Sequence, residues 1–207
     1  MRFRTALLAG IAAVITAVLA AQAQIPGVNS NLATVWHLVY EASTVKPTYS
    51  ASTIVTPVAA ADDVCTLQGS ATKLIRVRRV IFGGTNANLQ ADPVAIVKRS
   101  TFDTGGTSGL TTITPYDSQS SAATAVAESY TANPTAIGTL VGVISDRFIV
   151  WGGLTTSVSM TPTTEYHFGQ YASPIFLRNA NEQLAINLGR LTYTTGSLAC
   201  TFEWTEE

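Results

Sequence analysis

The side chains best suited to catalysis or metal binding are two histidines, His37 and His167, and two cysteines, Cys65 and Cys200. The histidines lie far apart and have neither HxH nor HExxH spacing, so they indicate packing or surface residues more than metal ligands. The cysteines lack CxxC spacing and a neighbouring histidine, which argues against a zinc site. Two interpretations of the cysteines stay open: buried free thiols in neighbouring strands, or a disulfide that export would permit.

Three short motifs come close to a catalytic pattern and miss it. Ser108 in GGTSGL departs by one position from the GxSxG elbow of serine hydrolases. Asp62 and Asp63 are adjacent, and an extended backbone points them to opposite sides, so they predict a turn and not a general acid and base pair. FGGTNAN, at 82–88, lacks the lysine and the following helix of a phosphate-binding loop. The sequence therefore predicts no enzyme, no catalytic residue, no cofactor and no metal.

A cationic stretch, ATKLIRVRRVIFGG, is the strongest candidate for nucleic-acid binding. Read as a strand over 73–82, it places Arg76 and Arg78 on one face and Arg79 on the other. Cations divided between two faces make a poor phosphate track, and no aromatic residues interleave with them. The formal net charge of −1 also gives no field to gather an anionic partner. The sequence predicts no nucleic-acid partner, and it makes the three arginines candidates for an interface with another subunit.

Four aromatic residues could form a stacking platform for a sugar ring: Trp36, Trp151, Tyr166 and Tyr171. Aromatic residues make up only 8% of the chain, and the sequence does not place these four on one surface. Packing in the core or at an interface is the more general role of such side chains. A glycan partner therefore stays as an alternative.

The elements that would position these residues have the pattern of an all-β protein. From Ser50 onward, short apolar runs alternate with clusters of Gly, Asn, Pro, Ser and Thr, as in a sandwich or a jelly roll. In SLACTFEWTEE the residues at 198, 200, 202 and 204 share one apolar face, which has the period of a half-buried strand. The predicted strands are 53–55, 63–68, 73–82, 93–100, 140–150, 165–168, 175–178, 183–191 and 197–205.

Three regions follow from this pattern. Residues 1–23 have two arginines before an apolar run and then small residues, which indicates a signal peptide or a retained anchoring helix. Residues 24–49 form a linking arm, and residues 50–207 form a single β-sandwich domain. Within that domain, 118–132 is the one helical candidate, with a long loop that contains one short turn as the alternative.

The segments STIVTPVAAADDVCTLQGSATKLIRVRRVIFGG, VKRSTFDTGGTSGLTTITPYDSQSSAATAVAESYTANPTAIGTLVGV and FEWTEE resemble a group of small all-β proteins among phage and prophage structural genes. The resemblance covers Lys46 to Glu207. It implies a virion component, such as a capsid decoration, head-fibre or tail-associated subunit, with no catalytic residue to carry over. The signal-like leader departs from that group, whose members ordinarily lack one.

Composition agrees with a protein that is assembled. Charged residues make up 12% of the chain, against about 25% in a typical domain, so self-repulsion is weak. We expect a structural protein of the virion whose partners are copies of itself and other shell subunits, with membrane contact through residues 6–23 as an option. The alternative is an exported binding module, periplasmic or extracellular, that is cleaved near Ala23 and recognises a glycan or another surface ligand through its loops.

Overall fold

A computed structural model describes residues 46–58, 60–86, 90–153, 163–169, 173–189 and 196–207. Strands make up 63% of the part it describes, which contains no helix, and the predicted all-β class is confirmed there. The predictions for the leader and for most of the linking arm lie outside the described residues. The strands are β1 (Thr48–Val55), β2 (Asp63–Gln68), β3 (Ile75–Asn86), β4 (Gln90–Arg99), β5 (Thr107–Leu110), β6 (Ile113–Pro115), β7 (Val126–Ala132), β8 (Leu140–Gly153), β9 (Thr163–His167), β10 (Ile175–Leu177), β11 (Gln183–Asn187) and β12 (Gly196–Glu206).

The strands form two antiparallel sheets. The first has the order β6-β1-β12-β3, and both β9 and β10 pair with the far side of β3. β9 pairs with residues 79–83 of β3, and β10 pairs with residues 75–77. The two short strands therefore lie end to end along the same edge of β3. The second sheet has the order β5-β7-β2-β11-β4-β8. A short parallel contact between Thr85–Asn86 and Gly152–Gly153 links β3 to β8.

Both sheets contribute to one apolar core. In β12 the four residues that were predicted to share a face, Leu198, Cys200, Phe202 and Trp204, are all buried. Trp204 stacks on Tyr49 of the neighbouring β1, with 5.9 Å between the ring centres. From the second sheet, the core receives residues of β2, β4, β7, β8 and β11, among them Leu67, Ile96, Ala127, Ile149 and Ile186. Burial of such side chains is the main favourable term in folding.

A β-bulge in β3 changes which arginines share a face. Glu203 of β12 pairs with Arg79, but the next residue, Trp204, pairs with Val77, so Arg78 is the extra residue of the bulge. The buried residues are accordingly at odd positions before the bulge, 75 and 77, and at even positions after it, 80 and 82. Arg76 and Arg79 therefore lie on the same outer face. The prediction that Arg79 lies opposite Arg76 and Arg78 was wrong, because an unbroken strand was assumed.

The helical candidate was wrong too. Residues 126–132 form β7, which pairs with β2 and β5, and the residues before it form only a short turn. Two other strands, β5 and β6, were not predicted from the sequence. The remaining predicted strands are present, most of them with bounds shifted by two or more residues, and β1 begins at Thr48 rather than Thr53.

Candidate assembly surface

The most distinctive surface of the described chain lies along β8, at the edge of the second sheet. This strand pairs with β4 from Leu140, opposite Arg99, to Trp151, opposite Gln90. On its other side, the described residues offer a strand partner only at Gly152–Gly153. Backbone donors and acceptors at such an edge form a template that a further strand can pair with.

This edge carries an unusual number of exposed apolar side chains. Phe148 is 75% exposed, Val141 60%, and Val150 55%. Monomeric proteins ordinarily protect a long edge strand with lysine, proline or a covering loop, because an exposed apolar edge aggregates. A large exposed apolar patch therefore marks an interaction site. The exposed apolar residues of β8 are Leu140, Val141, Val143, Ile144, Phe148 and Val150.

The opposite face of β8 is anchored to the first sheet. The hydroxyl groups of Ser145 and Tyr166 are 2.9 Å apart, with the serine donating. The guanidinium carbon of Arg147 lies 5.0 Å from the centre of the Tyr166 ring, a cation–π distance. Tyr166 in turn stacks on Phe82, and Ile149 is buried in the core. These contacts hold the edge in place, so its outer face is presented by an ordered strand.

Only part of β8 has a regular backbone. Its pairing with β4 shifts register between Ile96 and Val97 and again between Lys98 and Arg99, which places irregularities in the first half of β8. From Ser145 to Trp151 the pairing is unbroken. Because bulges twist an edge away from a partner, the regular stretch is the part of the edge that suits strand addition.

The predicted interface arginines lie elsewhere and are mostly used within the chain. Arg76 pairs with Glu207 at 3.0 Å, and Arg79 pairs with Glu203 and, at 2.9 Å, with Glu165. The interface role predicted for Arg76 and Arg79 stays a prediction, with these intrachain ion pairs beside it. Arg78, the bulge residue, is exposed and keeps the predicted interface role as a prediction.

The two cysteines form a disulfide in the structure. Cys65 belongs to β2 and Cys200 to β12, and their Cα atoms are 6.4 Å apart. Both residues are buried in the core, so the bond ties one sheet to the other. Of the two interpretations that the sequence left open, the structure has the disulfide.

A buried polar cluster next to the start of β8 escaped the sequence analysis. The guanidinium of Arg99 makes a two-pronged contact with Asp63, and its remaining nitrogen donates to the Gly138 carbonyl at 2.8 Å. Asp103 accepts hydrogen bonds from the Gly138 amide and from the Gln183 side chain, both at 2.8 Å. The cluster thereby fixes the segment that leads into β8. Its signal in the sequence was faint, because the side chains come from three separate parts of the chain: Asp63, then Arg99 with Asp103, then Gln183.

One carboxyl group of this cluster is perturbed. Burial, together with the negative charge of Asp63, raises the pKa of Asp103 to about 6. The same cluster contains one positive charge, on Arg99, for two buried carboxyl groups, so a proton on Asp103 keeps it neutral. A perturbed carboxyl group can indicate catalysis. Here Asp103 is 4% exposed, and its oxygens accept hydrogen bonds from Gly138 and Gln183, which hold the segment before β8 in place.

A second buried carboxylate ties down the C-terminal strand. The Glu206 side chain accepts hydrogen bonds from the amides of Thr124 and Ala125 and from the Trp204 indole. Burial opposes its charge, but these donors outweigh burial and lower its pKa. Glu206 therefore joins the end of β12 to the segment before β7.

The other candidate residues do not assemble into a reactive site within the described chain. Ser108 is an exposed residue of β5, and the glycines before it, Gly105 and Gly106, have the positive φ values of a tight turn. His167 is exposed and lies 2.7 Å from Glu165. Tyr166 stacks on Phe82 and accepts a hydrogen bond from Ser145 of β8. Among the described residues, no three His, Cys, Asp or Glu side chains lie where they could hold a metal ion.

Comparison with known proteins adds no relative. No family model, no curated protein and no solved structure matches the chain. The part of the chain that the structure describes contains no helix of the length and apolar character that a membrane crossing needs.

Proposed function

We propose that this chain is a non-enzymatic structural subunit that acts through contacts with copies of itself, and that it is a virion component of the capsid-decoration, head-associated or tail-associated type. The observation that carries the proposal is the exposed apolar edge along β8. An apolar surface of this kind costs solubility in a monomer and stabilises an assembly, because association removes it from water.

The strand order supports a jelly-roll sandwich as the scaffold. With β9 and β10 counted as one strand, the first sheet runs β1-β12-β3-β9/β10 and the second runs β2-β11-β4-β8. Numbered along the chain without β5, β6 and β7, these are strands 1-8-3-6 and 2-7-4-5, the order of an eight-stranded jelly roll. The three omitted strands then form an insertion between β4 and β8. Viral capsid subunits and lectin domains both use this architecture.

The charges of the chain support an apolar contact between subunits. Ion pairs within the chain occupy Arg76 and Arg79, and the formal net charge is −1. Association driven by burial of apolar surface depends little on salt, whereas association through exposed charges weakens as salt rises. We therefore expect assemblies that persist at high ionic strength.

Sedimentation of the full chain over a range of concentrations, at low and at high salt, tests the proposal. We expect species well above the 21.8 kDa chain mass that grow with concentration and survive high salt. A protein that sediments as a monomer at every concentration would contradict the structural role. Intact mass spectrometry of the same sample reports whether the chain starts at Met1 and whether the two cysteines are oxidised.

An exported binding module is the second candidate, and the disulfide favours it. Disulfides form in oxidising compartments, such as the periplasm or the extracellular space, and rarely in the cytosol. In that case we expect the intact mass of a chain that begins at Gln24, a monomer in sedimentation, and retention of the protein on immobilised glycans. A chain that begins at Met1 and assembles would contradict this candidate.

A further inference from the structure

We infer that a second copy of this chain pairs its own β8 antiparallel with this β8 edge, about a two-fold axis that passes through Phe148. The sheet that ends in β8 then continues from one copy into the other. This inference rests on the proposed function and names the contact that performs it. Two-fold pairing is the commonest symmetry of protein assemblies, and a two-fold axis perpendicular to a sheet sets an edge strand antiparallel to itself.

The area of the edge suits a second copy. The six partly exposed apolar side chains of β8 together present on the order of 600 Å². Phe148 and Val150 lie within the regular stretch, and the other four lie beside it, in the irregular half of the strand. A standard interface takes about 800 Å² from each partner. Backbone atoms of the paired strands and the neighbouring outer residues of β4, Ala91 and Pro93, would supply the rest.

The charges of β8 select the register. An axis through a residue places that residue opposite its own copy, and like charges directly opposite one another are destabilising. Asp146 and Arg147 are the only charged residues of the regular stretch, so neither can lie on the axis. An axis through Ile149 would extend the pairing into Gly152–Gly153, which β3 already contacts.

An axis through Phe148 satisfies each of these conditions. It pairs the whole regular stretch, Ser145–Trp151, with its copy. It sets the exposed Phe148 ring against the ring of the second copy, and Asp146 against Val150 on the same outer face. It leaves Arg147 on the inner face, where it contacts Tyr166 of its own chain.

Cysteine cross-linking in the full chain tests this register. Phe148→Cys places a thiol on the axis, and we expect mild oxidation to give a covalent dimer, because directly opposite Cβ atoms come within about 4.5 Å of each other in a non-hydrogen-bonded pair, which a disulfide can span. A mixture of Asp146→Cys and Val150→Cys should give a mixed dimer in excess over either self-dimer. Leu110→Cys is the control, since Leu110 is 78% exposed on β5, at the other edge of the same sheet. The native cysteines are buried and already paired, so they do not interfere.

Phe148→Glu, with Leu110→Glu as its control, tests the contact without cross-linking. We expect Phe148→Glu to weaken association by about 30-fold or more, as at an interface hot spot, and Leu110→Glu to leave it within about threefold of the unmodified chain. Circular dichroism and thermal unfolding of both variants establish that they are folded.

The possible failures are distinguishable. If the unmodified chain assembles but the Phe148→Cys and Leu110→Cys variants cross-link equally, the β8 pairing is wrong and the structural role stands. If Trp36→Cys combined with Phe148→Cys gives a disulfide between those two positions, the N-terminal segment occupies the edge and the pairing of two β8 strands is wrong. If the unmodified chain stays a monomer at every concentration, both proposals fail.

Discussion

At the scale of single residues, the described part of this protein uses its buried charges to position segments of chain. Arg99 and Asp103, four residues apart, both contact Gly138 just before the edge strand, and Asp63, from a separate strand, holds Arg99. A side chain at Gly138 would meet the Thr101 carbonyl oxygen at 1.9 Å, so the close approach depends on glycine. Buried polar groups are costly unless they are satisfied, which makes the position of this loop sharply defined.

Asp103 gives this cluster a pH dependence. Its pKa is raised to about 6 in the folded protein, from an ordinary value of 3.8, so the folded state holds the proton more tightly than the unfolded state does. Its contribution to stability is therefore complete below about pH 4 and is lost as pH rises through about 6. We expect the free energy of unfolding to fall by on the order of 1 to 3 kcal/mol across this window.

Urea denaturation at a series of pH values from about 4 to about 8 measures this decline. Asp103→Asn is the matched variant, since its amide cannot titrate and can donate a hydrogen bond, as the protonated acid does. We expect the variant to lose the decline in this window, although it weakens the bond from Gln183. Equal slopes for both proteins would show that Asp103 does not titrate there.

At the scale of elements, the sequence predicted those strands whose two faces differ. The last strand is the best case, because Leu198, Cys200, Phe202 and Trp204 alternate with more polar residues and are buried as expected. By contrast, β5 is exposed along its whole length, so its sequence has no apolar face to detect. The bulge in β3 was equally hidden, since a bulge is defined by the partner strand and not by the strand that contains it.

The sequence predicts only part of the candidate assembly surface on β8. The run at 140–150 was correctly identified as a strand, but its edge position follows from the order of strands in the sheet. That order depends on contacts between distant parts of the chain, which neither composition nor periodicity reports. The cluster around Arg99 was missed for the same reason.

The bulge leads to a prediction about deletions in β3. Removing Arg78 deletes the extra residue, and the alternation of Ile75 and Val77 with Val80 and Phe82 then becomes continuous. We expect this deletion to fold and to lose no more than about 1 to 2 kcal/mol, the ordinary range for a single change. Deletion of Ile81, three positions along, should abolish folding, because it turns Phe82 and the rest of the strand to the opposite face.

Thermal unfolding and near-ultraviolet circular dichroism of the two deletion variants test this difference. Because both variants have the same length, any general effect of shortening the strand is shared between them. Two variants of similar stability would mean that the register on the two sides of Arg78 is not set by the bulge.

At the scale of the whole described domain, two sheets share a core and the Cys65–Cys200 disulfide joins them. The bond links β2 of one sheet to β12 of the other, and both cysteines are buried members of the core. Strand pairs such as β1 with β12 also bring distant parts of the chain together. A fold dominated by such long-range contacts has a high entropic cost of loop closure, which a covalent link reduces in the unfolded chain.

The size of this effect can be predicted from the sequence separation of 135 between the two cysteines. In the chain-entropy treatment, closing a loop of this length stabilises the folded protein by about 5 kcal/mol. We expect the Cys65→Ala, Cys200→Ala variant to lose most of that free energy of unfolding in urea, where the oxidised parent protein is the reference. The parent protein measured in reductant should fall to a similar stability, whereas the variant should not respond to reductant. A parent protein that is indifferent to reductant under unfolding conditions would show that the two sheets are held together without the bond.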